Sequence, residues 1–567
     1  MRSAIELHKQ RQLDLAAELY EEVLASDHGH TDALQLLGAL ECERGAWTIA
    51  LGLLDRAIRL APLLVQARHN RANVLYQLGQ LEEALREIDR VIRLAPKMAE
   101  AYDARGNMLL AIANPDRALR SFDEAITLKP MYAPAWVNRA NALLALGQPE
   151  AALESVEHAV IGGASIHPPA WNTYGGVLLA LDRPADALAC FDRAIATDPT
   201  FAQAWMSRGA AWLALNEPTK AIDDFRHADE LASGLDTAEV VRNAGPAQRD
   251  ERNLALLRFN ESFAHLVQGD FTTGWKYFES RWNIGDGPFV SRGFGAPHWR
   301  GESLVGKTIL LHAEQGLGDT IQFVRYVPRL AAHGANVILE VQPPLETLFS
   351  QFNSVARVVR RGEPLPEFDC FCPLMSLPGI LGETVETLDA SPYLRPIDAR
   401  RAEWQARLNS DGMKKKVGLV WSGSTVHQND RKRSIPLATF QDILPTDMVG
   451  HCLQKELREA DREILDRLPI RYWGDQIGDF ADTAEILSML DLVITVDTSV
   501  AHLAGAMGKR VWVLVAFSPD WRWMLDRHDS PWYRGVRIFR QPAPGAWGPV
   551  LKEVRQTLEH FLSGEMD

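Results

Sequence analysis

AWVNRANALLALGQPEAALESVEHAV, residues 135–160, carries one full unit of the pattern that governs the first half of the chain. Written in rows of 34, the sequence keeps a register. A small residue recurs at Gly38, Ala72, Gly106, Ala140, Gly175 and Gly209, and alanine at Ala50, Ala84, Ala118, Ala152, Ala187 and Ala221. Proline closes rows at Pro62, Pro96, Pro130 and Pro199, and one extra residue enters near GGASIHPP at 162–169. This is a helix–turn–helix repeat. The small residues let two helices approach closely, and proline ends the second helix of each pair.

The register resembles the tetratricopeptide repeat (TPR) family. Six full repeats are expected over 31–235, preceded by a partial repeat with Ala16 on the alanine register. A degenerate unit is expected around 253–282, after a loop, SGLDTAEVVRNAGPAQRD, so that the array fills residues 1–288. The resemblance implies an α-helical superhelix whose concave face is lined by the first helix of each pair. Trp136, Trp171 and Trp205 share one register position, with Tyr102 one repeat earlier, and are expected to pack between helices. Asn73, Asn107 and Asn141 also recur, one position after the small residue. In TPR proteins that position faces the groove. A carboxamide both donates and accepts, so such a ladder can hold an extended peptide by its backbone, similar in principle to the asparagine ladder of O-GlcNAc transferases. The other reading is that these residues are solvated. The array implies a protein partner.

The whole chain has 567 residues, enough for three or more packing units. Its formal net charge of −14 argues against a nucleic-acid polymer as partner, because such binding needs clustered cations. A hydrophobic content of 46% excludes wholesale disorder. Five scattered cysteines, Cys42, Cys190, Cys370, Cys372 and Cys452, make neither a disulfide framework nor a zinc site. No apolar run reaches the roughly 20 residues of a transmembrane helix, and the amino-terminal helix carries charges throughout. A soluble, cytoplasmic protein is the expectation.

Past residue 290 the register stops and β-branched runs alternate with helical stretches. TILLHA (308–313), ANVILEV (335–341), KVGLVW (416–421), DLVITV (491–496) and RVWVLV (510–515) read as strands, and 318–334 as a helix. Alternation of this kind implies parallel sheets covered by helices. Two α/β, Rossmann-like domains follow, 289–395 and 405–567, joined near SPYLRPIDARRAEW (391–404). GESLVGKT (301–308) spells a phosphate loop, but a phosphate loop follows a strand and opens a helix, and here the order is reversed.

Three segments at the carboxyl ends of strands carry the candidate chemistry. HAEQGLGDT (312–320) places Gly316 and Gly318 between a strand and a helix, with Asp319 either capping that helix or serving as a general base. DLVITVDTSVAHLAGAMGK (491–509) ends a strand in Asp497, and Thr498 and Ser499 open a helix containing His502. A helix amino terminus of that kind suits a diphosphate, the other reading being an ordinary N-capped helix with a buried His502. VWSGSTVHQNDRKRSIPL (420–437) carries Arg431, Lys432 and Arg433 on a loop that either neutralises a leaving diphosphate or is a solvated surface loop.

Together these segments resemble glycosyltransferases of the GT-B fold, closest to the heptosyltransferase-like family 9. The likeness covers about residues 300–560. It implies an inverting reaction from a nucleotide-diphospho-sugar, needing neither metal nor cofactor. It also implies that Asp319 is the base, that one of Arg431, Lys432 and Arg433 handles the diphosphate, and that Asp497, Thr498, Ser499 and His502 bind the donor. Gly316 and Gly318 belong to the same donor site. The acceptor would be a protein or an envelope glycan brought by the repeats. The alternative is a non-catalytic scaffold with a degenerate GT-B domain.

Overall fold

A computed structural model describes residues 1–161, 167–234, 247–285, 292–408, 415–425, 429–445, 448 and 450–565. The chain forms two compact units. One comprises Met1–Trp212 and Asp223–Leu257, the other Leu213–Ile222 and Arg258–Asp567. The start of the register slip, 162–166, and most of the loop read between 233 and 250 lie outside the described residues.

The first unit is a series of helical hairpins. Full pairs are Thr31–Glu43 with Trp47–Leu60, Val65–Gln77 with Leu81–Leu94, Ala99–Ala111 with Pro115–Leu128, and Ala133–Ala145 with Pro149–Ile161. Pro168–Ala180 with Pro184–Thr197 and Ala202–Ala214 with Pro218–Gly234 complete the six expected repeats. Arg2–Lys9 pairs with Leu13–Ser26, so the amino-terminal partial repeat is itself a hairpin with a shortened first helix.

Each turn is built the same way. Arg11, Gly45, Gly79, Ala113, Gly147, Asp182 and Asn216 share a register position and have φ between 54° and 76°. The amide after this left-handed residue reaches back to the carbonyl five residues earlier, as in Gln80 N–H to Leu75 O (2.9 Å) and Arg183 N–H to Leu178 O (2.8 Å). That bond satisfies a carbonyl left over at the helix end. Glycine takes the conformation without strain, whereas Ala113 carries a cost.

The small-residue register is explained by its partner 16 positions on. A Cβ built on Gly106 would lie 2.3 Å from Phe122, on Gly175 2.3 Å from Phe191, on Gly209 2.8 Å from Phe225, and on Gly38 2.9 Å from Leu54. Where the register holds alanine, at Ala72 and Ala140, the residue 16 later is the smaller Ile88 or Val156. All of these larger partners are buried. Phenylalanine at the later position thus always faces glycine, and alanine faces only an aliphatic side chain.

The aromatic register does more than pack. Trp136 Nε1 donates to the carbonyl of Pro130 (2.8 Å), Trp205 Nε1 to that of Pro199 (2.9 Å) and the Tyr102 hydroxyl to that of Pro96 (3.2 Å). Arg68, one repeat earlier, does the same for Pro62 (2.7 Å). The proline that ends one repeat thus leaves a carbonyl that the next repeat's first helix satisfies.

The second unit contains two parallel sheets. The first has strands β1 (Thr308–His312), β2 (Asn336–Val341), β3 (Arg357–Arg360) and β4 (Cys370–Pro373) in the order β3-β2-β1-β4. The second has β5 (Val417–Val420), β6 (Gly450–Cys452), β7 (Ile470–Tyr472), β8 (Leu492–Val496), β9 (Val511–Val515) and β10 (Val536–Arg540) in the order β10-β9-β8-β5-β6-β7. The strand order of the second sheet reverses between β5 and β8, the kind of place where open α/β sheets bind ligands. Lys307 and Thr308 sit at the amino end of β1, away from the strand ends that carry loops to helices, in keeping with the reversed order read at GESLVGKT.

One element differs from the sequence reading. The helix expected over 318–334 is broken into Leu317–Phe323, a 3₁₀ turn at Val324–Tyr326 and Val327–Ala332, because Pro328 cannot continue the ladder. The two compact units meet in the chain within the helix Ala247–Val267, at Leu257/Arg258. The helix Phe271–Phe278 has lost the repeat's apolar alanines and carries aromatics. Phe271, Trp275 and Phe278 are buried with Trp299, Ile309, Phe323, Trp521 and Trp532 in the core of the second unit. Among the described residues no helix is long and apolar enough to cross a membrane.

The volume rule makes a paired prediction. Gly106→Ala should destabilise the array by about 1–3 kcal/mol through overpacking. Adding Phe122→Val should recover most of that loss, measured by thermal unfolding; no recovery would refute the rule.

Candidate functional site

The three segments singled out in the sequence meet. A cavity of about 600 Å³ in the second unit is lined by Gly316, Gly318 and Asp319 after β1, by Lys432 and Arg433 after β5, and by Asp497, Thr498, Ser499 and His502 after β8. Arg431 is exposed and is not among the lining residues. Its neighbours face the cavity because the turn Asp430–Arg433 is anchored from beneath. Buried Asp430 accepts from the Ser434 hydroxyl (2.6 Å), which in turn accepts from the Gly423 amide (2.9 Å).

The close approach of the two sheets' helices requires one glycine. A Cβ on Gly318 would lie 2.8 Å from the His502 ring and 3.5 Å from Ser499 Cα. His502 is held by the Tyr533 hydroxyl at Nδ1 (3.0 Å) and stacks on Trp523 at 5.5 Å. Burial, reinforced by Arg522, Arg325 and Arg433, drives its pKa well below the usual value, so the imidazole is neutral.

The helix Ser499–Ala506 begins at Thr498 with no side chain capping its first turn. The Thr498 hydroxyl is turned to Thr495 (3.1 Å). Beside this helix end lies Arg433. Its Nη1 donates to the carbonyl of Asp497 (3.0 Å), its buried Nε has no partner, and no carboxylate is within ion-pair distance among the described residues. The guanidinium lies against Gly423, where a Cβ would come within 2.7 Å of it. A cation without a counter-ion beside free helix amides is an anion site by charge and by geometry.

Asp319 is engaged at both oxygens. Oδ2 accepts from the Gly316 amide (2.8 Å), closing the turn that opens the helix, and Oδ1 accepts from Arg522 Nη2. Arg522 is the residue the sequence reading missed. It lies in FSPDWRWM (517–524), after the carboxyl end of β9, and also bonds Asp520 (2.8 Å) and Gln322 (2.6 Å). The available signal was position alone, at another strand's carboxyl end. Asp497 differs from Asp319. Burial first, then the charge of Asp520, pushes its carboxyl up to about 6.

Behind the glycine loop, Arg281 fixes Glu314. Arg281 is fully buried, and its Nε and Nη2 both reach Glu314 (3.1 Å each), while Nη2 also bonds Ser376 (2.8 Å) and Nη1 bonds Glu279 (2.6 Å). Glu314 also accepts from the Met375 amide (3.2 Å).

In the first unit, Asn73 and Asn107 line a groove of about 580 Å³ with His69, Asn70, Glu100 and Asp103. Asn141 is half-buried and is not among its lining residues. Burial pushes the Asp103 carboxyl up to about 6, although the Asn138 amide donates to it (2.9 Å).

A family model described as tetratricopeptide repeat matches residues 2–65, 104–165 and 175–235, and a second with that description matches 65–98. The first 235 or so residues are a TPR array. Protein FlbA of Caulobacter vibrioides (strain ATCC 19089 / CIP 103742 / CB 15) is 27% identical over 405 residues, 66% of this chain and 64% of its own length. That stretch is longer than the TPR array, so the likeness runs into the second unit. The chain spans less than two thirds of this relative. Among solved structures, a thermophilic TPR protein of Thermus thermophilus is 21% identical, covering 32% of this chain and 99% of its own, with a TM-score of 0.30. A TPR protein from Parabacteroides merdae ATCC 43184 is 17% identical, covering 45% and 96%, with a TM-score of 0.36.

Two substitutions test the construction of the cavity. Gly318→Ala should force the Leu317–Phe323 and Ser499–Ala506 helices apart and weaken any ligand of the cavity at least tenfold, with a smaller loss of stability. Arg281→Met leaves Glu314 buried without its cation and should cost about 3–5 kcal/mol. Thermal unfolding and ligand titration separate the two effects.

Proposed function

We propose that the second unit is an inverting, metal-independent glycosyltransferase of the GT-B type. It moves a sugar from a nucleotide-diphospho-sugar to a hydroxyl of a protein or envelope-glycan acceptor recruited by the TPR array. The observation that carries this reading is Arg433: a cation with no carboxylate partner among the described residues, beside the uncapped first turn of Ser499–Ala506, where the strand order of the second sheet reverses. Two parallel sheets contributing to one cavity, and a glycine turn that lets a ligand approach the backbone, support it.

The chemistry asked of the chain is electrostatic. As the bond from the sugar's anomeric carbon to the diphosphate lengthens, negative charge grows on the departing oxygen. Arg433, Lys432 and the first-turn amides already point there, so little reorganisation is needed. A carboxylate of the cavity takes the acceptor's proton. In the TPR array, the groove at Asn73 and Asn107 supports backbone capture of an extended acceptor segment.

The test is binding of UDP, GDP, ADP and CDP to the full chain. At least one should raise the melting temperature, in the presence of EDTA as well as without it. Arg433→Ala should weaken that nucleotide about 10–100-fold, the worth of a charge-assisted contact. If none of the four stabilises the chain, the reading fails.

A further inference from the structure

Three carboxylates line the cavity: Asp319, Asp497 and Asp520. One guanidinium sorts them. Arg522 bonds Asp319 through Nη2 and Asp520 through Nη1 (2.8 Å). Asp319 also holds the Gly316 amide (2.8 Å), and Asp520 the Arg522 amide (3.0 Å). Both carboxylates are thus engaged in contacts that shape the cavity wall. Asp497 is differently placed. Its side chain is 19% exposed, and the neutral His502 faces it with Nε2 at 3.9 Å, beyond hydrogen-bond reach. The Trp523 indole N–H faces this carboxylate and favours its charged form, without reaching the geometry of a full hydrogen bond.

We propose, resting on the glycosyltransferase reading above, that Asp497 is the proton-accepting residue of this cavity, and that Asp319 and Arg522 form a fixed pair that positions the glycine turn. The base expected at Asp319 from the sequence is thereby reassigned. In the step, the acceptor hydroxyl gives its proton to Asp497, and its oxygen forms a bond to the sugar's anomeric carbon. The bond from that carbon to the diphosphate breaks, and its electron pair leaves on the diphosphate oxygen. Arg433 meets this residue at its main-chain carbonyl (3.0 Å), while the carboxylate lies against His502, Trp523 and the Asp520–Arg522 side.

The charges around Asp497 are Arg433 from the basic turn, Arg522 and Asp520 from the segment after β9, and His502 on its own helix. The two arginines favour the carboxylate, while burial and Asp520 oppose it. Because the folded carboxyl is raised from 3.8 to about 6, the group contributes stability below pH 3.8 that is lost as the pH rises through about 6. Asp497→Asn should therefore raise the melting temperature at pH 8 and leave it little changed at pH 4.

The deciding experiment measures release of nucleoside diphosphate by the full chain from UDP-, GDP- and ADP-sugars, with water as acceptor, between pH 4.5 and 8.5. The wild type should gain rate through an acid limb near pH 6. Asp497→Asn should lose at least 100-fold in kcat and lose that limb, while binding the nucleoside diphosphate within threefold. Asp319→Asn should lower kcat but keep the limb. Should the asparagine variant not fold, Asp497→Glu, which keeps the acid but moves it, should keep the limb and lose kcat. The proposal is overturned if the limb survives in Asp497→Asn, or if it vanishes in Asp319→Asn. Failure of the underlying reading looks different: no donor is consumed by the wild type at any pH, and none of the diphosphates binds.

Discussion

A guanidinium with no exposed surface, Arg281, holds the carboxylate of Glu314, and the cavity's glycine turn begins on the next residues. Taking both ions out of water is costly, and the pair is tolerated because nearly every remaining donor and acceptor is met by Glu279, Ser376, Phe278 O or the Met375 amide. The pair joins three parts of the chain at one point: the segment after Phe271–Phe278, the stretch from the end of β1 to the turn at Gly316, and the end of β4. Such a network is a poor way to gain stability and a good way to fix a position. Gly318 can approach His502 as closely as it does only if its turn does not wander. Asp319 reaches Arg522 under the same condition.

The same segment explains why the repeat register ends where it does. In the TPR array each hairpin buries small residues against one large one, a local solution that needs only a partner 16 positions away. Phe271–Phe278 turns its apolar face to Trp521, Trp532 and Phe323 instead, residues far along the chain. A period in sequence reflects contacts at fixed separation. Once a helix packs against distant strands, the spacing constraint disappears although the helix remains.

This contrast also accounts for what could be read from the residues alone. Repeat number, helix pairing and the small-residue positions were legible because each is decided within 34 residues. The aromatic register was legible as a position, but its bond to the preceding repeat's proline carbonyl depends on side-chain direction, which spacing does not carry. In the second unit, the strands and the loops at their carboxyl ends were visible as β-branched runs followed by glycine, hydroxyl or basic residues. Arg522 was not, because the partners that give it a role, Asp319 and Gln322, lie 203 and 200 residues away. The sequence reading put the base at Asp319 and gave Asp497 to the donor, without sight of what either carboxylate touches. Both follow strands and both precede helices, and only the hydrogen bonds distinguish a carboxylate that is occupied from one that is not.

Charge makes the same point at a different scale. The chain as a whole is acidic, with a net charge of −14, yet the wall of its cavity gathers Lys432, Arg433 and Arg522. At ordinary ionic strength, fields from exposed charges fade over about 10 Å, so the acidic total has little say inside a partly closed cavity. What matters there is which charges are already engaged. Arg522 is held by two aspartates, while Arg433 is left with a carbonyl and an unpartnered Nε. The available cation and the available carboxylate thus belong to adjoining residues of one site, joined through the main chain of Asp497. Arg433 favours the Asp497 carboxylate through space but makes no ion pair with it, so the guanidinium keeps donors for a ligand, and that is what separates this cavity from a merely polar crevice.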